Sequence, residues 1–135
     1  MKTLVVDDDE IVRTFVQRVM EHSGFDVHLA EHGRQALDVI ESLDPDLLVT
    51  DLNMPEMDGY ELIQSVRAMP NFRHLPIICL SSVNQRGDIE RLIESGISSY
   101  VLKPVKPSDL ADRIRIVTSR ERSWKLSREG TAMES

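Results

Sequence analysis

The chain has 135 residues, of which 41% are hydrophobic and 29% charged, values that fit one folded domain with its own core. Its formal net charge of −7 argues against direct binding to nucleic acid or to an anionic membrane surface. No apolar run is long enough to span a membrane, and Met1-Lys2 leads into a strand-like run rather than a signal peptide.

The first half of the chain alternates between strand-like and helix-like patterns. Short apolar runs predict strands at Thr3–Val6, Val27–Ala30 and Leu47–Thr50. Apolar residues spaced three or four apart predict a helix after each of the first two runs. The first of these helices stops near Gly24, and Pro45 prevents the second from continuing.

The second half of the chain continues this alternation. Residues 53–59 form a loop punctuated by Pro55 and Gly59, and strands are predicted at Pro76–Leu80 and Tyr100–Leu102. An amphipathic helix follows the loop, and another follows each of the two strands. These patterns bring the total to five strands and five helices.

The last helix and the tail bound the predicted domain. Ser108 is expected to cap the N-terminus of this helix, and the domain is predicted to span residues 1–120. Residues 121–135 are interpreted as a helix extension and polar tail or a truncated linker, with the role of Trp124 open. Cys79 is the one cysteine and lies in an apolar run, which favours a buried thiol and a cytoplasmic location.

Strict alternation with short connections predicts an α/β fold, a doubly wound (βα)5 arrangement whose helices cover both faces of a five-stranded parallel sheet. Runs one, three and four are apolar throughout, as in central strands, whereas runs two and five alternate with polar residues, as in edge strands. The flavodoxin-like order 2-1-3-4-5 satisfies this pattern and keeps the crossovers right-handed. Ligands are then expected between strands one and three.

Polar side chains follow four of the predicted strands. Asp7 and Asp8 follow the first, Asp51 the third, Ser81 the fourth and Lys103 the fifth. Clustered carboxylates raise one another's pKa, so a protein that keeps them commonly binds a cation there, and carboxylate oxygens suit Mg²⁺. A carboxylate can also attack phosphorus, with a lysine and a hydroxyl available to bind the phosphoryl oxygens. The pattern therefore predicts Mg²⁺-dependent phosphoryl chemistry.

Together these residues resemble the receiver domain of bacterial two-component response regulators, with single-domain chemotaxis regulators nearest in layout. The resemblance runs from residue 2 to residue 118, and its most specific part is Asp51 within Asp-Leu-Asn-Met-Pro-Glu-Met-Asp-Gly. It implies that Asp51 accepts a phosphoryl group from a histidine kinase or phosphotransfer protein. It also implies that Asp8, Asp51 and the backbone carbonyl of Asn53 bind Mg²⁺, with Asp7 acting mostly through water.

The resemblance further implies a signalling switch rather than an enzyme, with self-phosphorylation and autodephosphorylation. Ser81 and Lys103 would bind the phosphoryl oxygens, and Tyr100 would swing inward as the hydroxyl moves toward the phosphate. The surface of the fourth helix, fifth strand and fifth helix would contact a downstream protein or a fused output domain. Whether phosphorylation induces a dimer is left open by the sequence. Val83 replaces a water-orienting polar residue of some members, which leaves the phosphoryl lifetime open.

Several of these residues also have simpler interpretations. Asp8 and Asp9 precede a helix and could be no more than favourable charges at its N-terminus. The Asp58-Gly59 pair could be turn and helix-entry chemistry, and Tyr100 could be an ordinary edge-strand aromatic. The hypothesis of a site therefore depends on the whole set coming together.

Two other functions compete with the switch. A haloacid-dehalogenase-like phosphohydrolase would use Asp7-x-Asp9, Ser81 and Lys103, but it needs a further acid pair downstream and leaves Asp51 without a role. A receiver-like interaction module that no longer accepts phosphate is disfavoured because the residue set is complete. Repulsion among the acids also predicts that Asp8→Asn stabilises the metal-free protein while impairing phosphorylation.

Overall fold

Five strands and five helices alternate in the computed structural model, which describes residues 1–54, 56–82 and 86–121. The strands are β1 (Lys2–Val6), β2 (Asp26–Ala30), β3 (Leu47–Asp51), β4 (Ile77–Ser81) and β5 (Ser99–Leu102). The helices are α1 (Glu10–His22), α2 (Gly33–Leu43), α3 (Gly59–Ala68), α4 (Arg86–Glu94) and α5 (Pro107–Glu121). Pro55, Val83, Trp124 and the predicted tail after Glu121 lie outside the described residues.

The strands form one parallel sheet in the order β2-β1-β3-β4-β5, which confirms the predicted topology. Every predicted strand is present to within one residue at each end. The three central strands are almost wholly buried, whereas β2 at one edge is largely exposed. Apolar content thus predicted strand order because a central parallel strand is covered on both faces.

Side chains of the central strands alternate between two helical layers. On one face, Leu4, Leu48 and Ile77 pack in a buried cluster with side chains of α2 and α3. On the other face, Val5 and Val49 belong to a cluster with side chains of α1 and α5. Both clusters bury apolar residues completely, so the sheet is held from both sides.

The ends of the helices follow local chemistry, with one correction to the predictions. Gly24 follows α1 with a φ of 92°, a left-handed conformation that favours glycine. The prediction that Ser108 caps α5 is wrong, because α5 begins at Pro107 and Ser108 lies inside its first turn. Proline suits that first position because its φ is already helical and it lacks an N–H that would be unsatisfied there.

The described part of the chain also contains a short 3₁₀ helix, Pro70–Phe72, which the apolar pattern did not predict. Its three residues are too few to show a periodicity, and it buries Phe72 between α3 and β4. Among the described residues, no helix combines the length and the apolar character that crossing a bilayer requires.

Candidate functional site

The predicted acids meet at the carboxyl edge of the sheet. Asp7 and Asp8 follow β1 and Asp51 ends β3, and these strands are neighbours. One carboxylate oxygen from each of the three residues lies within 4.8 Å of the others. Asp7 and Asp51 are buried, whereas Asp8 is exposed. The topology therefore places the cluster at the predicted switch point between β1 and β3.

Lys103 points into this cluster from the end of β5. Its Nζ lies 2.9 Å from Oδ1 of Asp51 and 3.9 Å from Oδ2 of Asp7. Burial by itself lowers the pKa of Lys103, but the hydrogen bond to Asp51 and the surrounding carboxylates outweigh this effect and raise it. Lys103 is thus held as an ammonium group among the acids. Its backbone N–H donates to the carbonyl of Ser81, and the Lys103-Pro104 peptide is cis.

The backbone after Asp51 is held tightly against the site. Oδ1 of Asp51 accepts a hydrogen bond from the Leu52 N–H at 2.8 Å, and the Gly59 N–H donates to the Leu52 carbonyl at 2.7 Å. A Cβ atom at Gly59 would lie only 2.6 Å from the Asp51 carbonyl oxygen. Glycine is therefore required where the start of α3 passes over the end of β3, because any larger residue would displace the chain that carries Asp51.

Asp7 is held by its backbone and by one of its two carboxylate oxygens. Its backbone N–H donates to the Ala30 carbonyl at 3.2 Å, and its Oδ1 accepts from the Asp9 N–H at 2.9 Å. Within the described part of the chain, Oδ2 is buried with no hydrogen-bond partner. Burial raises the pKa of Asp7 from 3.8 to about 6, with Asp51 and Asp8 adding to this shift against the Asp9 N–H and Lys103.

The arrangement suits a hard divalent cation. A buried carboxylate oxygen without a donor is costly, and a cation beside it would remove that cost. Asp7, Asp8 and Asp51 offer oxygen ligands alone, the donor type that Mg²⁺ prefers. The residues present therefore fit Mg²⁺.

The structure separates the aspartates of the site from those that end helices. Oδ1 of Asp9 accepts from the Ile11 N–H at 2.8 Å, so Asp9 is the N-cap of α1. Asp58 caps α3 in the same way, accepting from the Glu61 N–H at 2.9 Å. The simpler interpretation of Asp9 and Asp58 as helix-entry residues is thus confirmed.

The remaining predicted residues lie around the cluster at different depths. Ser81 ends β4 and is buried, and Asn53 is exposed in the loop after β3. Tyr100 is half-buried and packs against the small apolar cluster formed by Leu52, Cys79 and Leu92. Burial raises the pKa of Cys79 to about 12, so this thiol stays protonated and packs as an apolar group.

Sequence reasoning missed one residue that contacts this site. Nη1 of Arg13 in α1 donates to the backbone carbonyl of Asp7 at 2.7 Å. The sequence contained one signal for Arg13. A cation close to the N-terminus of a helix opposes the helix dipole, so its presence there indicates a compensating contact.

Comparison with known proteins agrees with this geometry. The family model of the response regulator receiver domain matches residues 3–115. Chemotaxis protein CheY1 of Helicobacter pylori is 34% identical over 119 residues, covering 87% of this chain and 96% of the relative. The two-component response regulator ORR3 of rice, Oryza sativa, is 36% identical over 110 residues, covering 80% and 83%.

Solved structures give the same result. A putative response regulator from Chloroflexus aurantiacus superposes with a TM-score of 0.83 at 32% identity, covering 87% of this chain and 97% of that one. The chemotaxis regulator CheY4 of Vibrio cholerae superposes with a TM-score of 0.82 at 28% identity, covering 86% and 97%. A response regulator/GGDEF domain protein superposes with a TM-score of 0.83 at 28% identity, with 90% of this chain covering 50% of that one.

This chain therefore belongs to the response regulator receiver family of two-component and chemotaxis signalling. Receiver domains are signalling switches rather than classical enzymes, and they act with histidine kinases and output domains. They bind Mg²⁺ through acidic residues, and a cluster of that kind is present here. The phosphohydrolase hypothesis is excluded by this membership, and Asp9, which it needed in the site, caps a helix instead.

Proposed function

We propose that Asp51 accepts a phosphoryl group from a histidine kinase or phosphotransfer protein in a Mg²⁺-dependent reaction. The side chains of Asp8 and Asp51 and the backbone carbonyl of Asn53 would hold the ion, with Asp7 acting mostly through water. The bound ion would neutralise phosphoryl charge. The observation that carries this proposal is the 2.9 Å contact of Lys103 with Asp51 inside a cluster of acids. A lysine held there can bind the phosphoryl oxygens.

The residues of the chain divide the transfer between them. A carboxylate oxygen of Asp51 attacks phosphorus, the phosphorus–nitrogen bond of the phosphohistidine breaks, and the departing imidazole keeps the electron pair and takes up a proton. Lys103 exchanges its contact with Asp51 for a phosphoryl oxygen. The hydroxyl of Ser81, which ends β4, donates to another phosphoryl oxygen.

The phosphoryl group would then bias a two-state equilibrium of the domain. Movement of the Ser81 hydroxyl toward the phosphate makes room for Tyr100 to turn inward from its half-buried position. The surface of α4, β5 and α5 would respond and contact a downstream protein or a fused output domain, or a second copy of the chain. We further propose a cytoplasmic location and a receiver domain spanning residues 1–120, followed by a helix extension and tail at 121–135.

The decisive experiment is the intact mass after incubation with acetyl phosphate and Mg²⁺. Wild type is expected to gain one phosphoryl group, and Asp51→Asn is expected to gain none. Asp58→Asn is the matched control, because it removes an aspartate from the same stretch of chain while asparagine still caps α3. It should be phosphorylated like wild type.

The result that contradicts the proposal is an adduct that persists in Asp51→Asn, since the acceptor would then be another residue. If wild type shows no adduct, Mg²⁺-dependent binding of beryllofluoride separates two cases. Binding that Asp51→Asn abolishes identifies a working pocket that needs its own kinase. No binding by wild type identifies an interaction module that no longer accepts phosphate.

A further inference from the structure

The orientation of Asp7 depends on three hydrogen bonds to the rest of the protein. Its N–H donates to the Ala30 carbonyl, its carbonyl accepts from Arg13 Nη1 at 2.7 Å, and its Oδ1 accepts from the Asp9 N–H. The fourth polar atom, Oδ2, is buried and without a hydrogen-bond partner among the described residues. It lies 3.9 Å from Lys103 Nζ, so it faces the acid cluster.

Of these three partners, Arg13 is the one supplied by a side chain. The Ala30 and Asp9 groups belong to the backbone and are present whatever residues occupy those positions. Arg13 is half-buried and sits one turn into α1, where the helix dipole disfavours a cation. The contact with the Asp7 carbonyl compensates for this placement, because a hydrogen bond from a charged donor to a carbonyl is strong.

Arg13 contacts the backbone of Asp7 and not its carboxyl group. The charged groups that act on the Asp7 carboxyl are Asp51, Lys103 and Asp8. The Arg13 contact is instead with the main chain, at the point where β1 ends and the chain turns into α1. Its effect on the site is therefore one of geometry.

We propose that Arg13 is a positioning residue for the divalent cation site. By holding the Asp7 carbonyl, it sets the direction of the peptide from which the Asp7 carboxylate projects, so that Oδ2 faces Lys103 within the site. This inference rests on the Mg²⁺ binding proposed above. It adds a group that touches neither the ion nor the phosphoryl group but orients a carboxylate of the ion site.

The test is a calorimetric Mg²⁺ titration of Arg13→Met beside wild type. Loss of a group that orients a metal ligand commonly weakens metal binding by about 10- to 100-fold, so a weakening of about 10-fold is expected. Electrostatics alone predicts the opposite, since removing a cation near a dication should tighten binding. Arg18→Met, an exposed arginine of the same helix, is the matched control and should leave the affinity unchanged.

The melting temperature without Mg²⁺ distinguishes a purely structural role of Arg13 from a role in the cation site. Unchanged or tighter Mg²⁺ binding by folded Arg13→Met overturns the inference, even if its melting temperature falls. Arg13→Lys can donate to the same carbonyl and should bind Mg²⁺ more tightly than Arg13→Met. Equal weakness of the two variants would also overturn it.

Two further outcomes distinguish failure of this inference from failure of the variant to fold and from failure of the proposed function. If Arg13→Met does not fold, the uncharged Arg13→Gln replaces it, because its shorter side chain also loses the Asp7 carbonyl. The same weakening is expected, and wild-type affinity overturns the inference. If wild type itself binds no Mg²⁺, the proposed function fails and the inference falls with it.

Discussion

Asp7 is the residue of the site that lowers the stability of the fold. Three aspartates stand side by side after β1, but Asp7 is buried while Asp8 and Asp9 are exposed. Burial is the largest cause that raises the pKa of Asp7, from 3.8 to about 6. A carboxyl whose pKa is higher in the folded state destabilises the fold when it ionises. The sequence predicted a cost from repulsion among the acids, but it could not show which of them is buried.

The sign of the pH dependence follows from that shift. Without Mg²⁺, the free energy of unfolding should fall as the pH rises from about 4 through about 6, and it should recover as the pH is lowered. At pH 7 the ionised Asp7 should cost roughly 2–3 kcal/mol. Asp7→Asn is therefore expected to raise the free energy of unfolding at pH 7 by about 1–3 kcal/mol and to remove most of the pH dependence between 5 and 7.

Urea unfolding in the presence of a chelator, at several pH values, measures this effect. Asp38→Asn is the control, because Asp38 is exposed on α2 and its replacement should change stability by less than about 0.5 kcal/mol. If the stability of wild type instead rises from pH 5 to pH 7 relative to Asp7→Asn, folding lowers the pKa of Asp7 and the prediction is wrong.

Helices α2 and α3 both begin with a glycine, but the two glycines have different neighbours. Gly33 is the first residue of α2 and Gly59 the first residue of α3, and each follows a side-chain N-cap. A Cβ at Gly59 would meet backbone, at 2.6 Å from the Asp51 carbonyl oxygen. A Cβ at Gly33 would meet the side chain of Met57 at 2.9 Å. Met57 can adjust its rotamer, whereas the backbone of β3 cannot move without shifting Asp51.

Gly59→Ala should therefore destabilise the protein, although alanine is the better helix former by about 1 kcal/mol. The expected loss in free energy of unfolding is about 1–3 kcal/mol, the usual cost of overpacking, together with slower phosphorylation of Asp51. Gly33→Ala is the matched control, with a loss below about 1 kcal/mol. Chemical denaturation of both variants measures this difference. Equal stabilisation of the two would mean that helix propensity outweighs the close approach.

Residues far apart in the chain close the core of the whole molecule. Ile114 and Val117 of α5 are buried in the same cluster as Val5 and Val49 of the first and third strands. The family match ends at residue 115, before Val117. The boundary of the folded unit is thus set by the last buried turn of α5 rather than by the signalling residues.

A chain ending after Glu121 is expected to melt within a few degrees of the full chain. A chain ending after Asp112 loses the buried side chains of Ile114 and Val117, at about 1.5–3 kcal/mol each. That loss of about 3–6 kcal/mol is a large part of the ~5–15 kcal/mol that stabilises a typical domain, so this shorter chain should be strongly destabilised. Circular dichroism melts of the two truncations provide the measurement. A chain ending at Asp112 that melts close to the full chain would place the boundary earlier than the core indicates.

The sequence by itself determined the architecture and predicted which acids meet Lys103 at the edge of the sheet. Apolar runs that end in Asp7, Asp51, Ser81 and Lys103 predicted parallel strands with a polar edge, because the strands of such a sheet are covered by helices and ligands bind at their carboxyl ends. Those signals are local and periodic, so they can be recognised without knowing what packs against them. The prediction that Ser108 caps α5 was wrong because Pro107 is a good first residue, so the helix begins two residues earlier than a cap at Ser108 implies.

Tertiary structure alone decided how the neighbouring acids differ. Asp7, Asp8 and Asp9 are chemically identical and adjacent, yet the first is buried beside Asp51 and Lys103, and the third caps α1. The sequence placed Arg13 near the start of a helix, but only the structure shows that it contacts the Asp7 carbonyl and that position 59 needs glycine. Burial and hydrogen bonding depend on which atoms meet in space, and at this site those atoms come from β1, β3, β5 and α1.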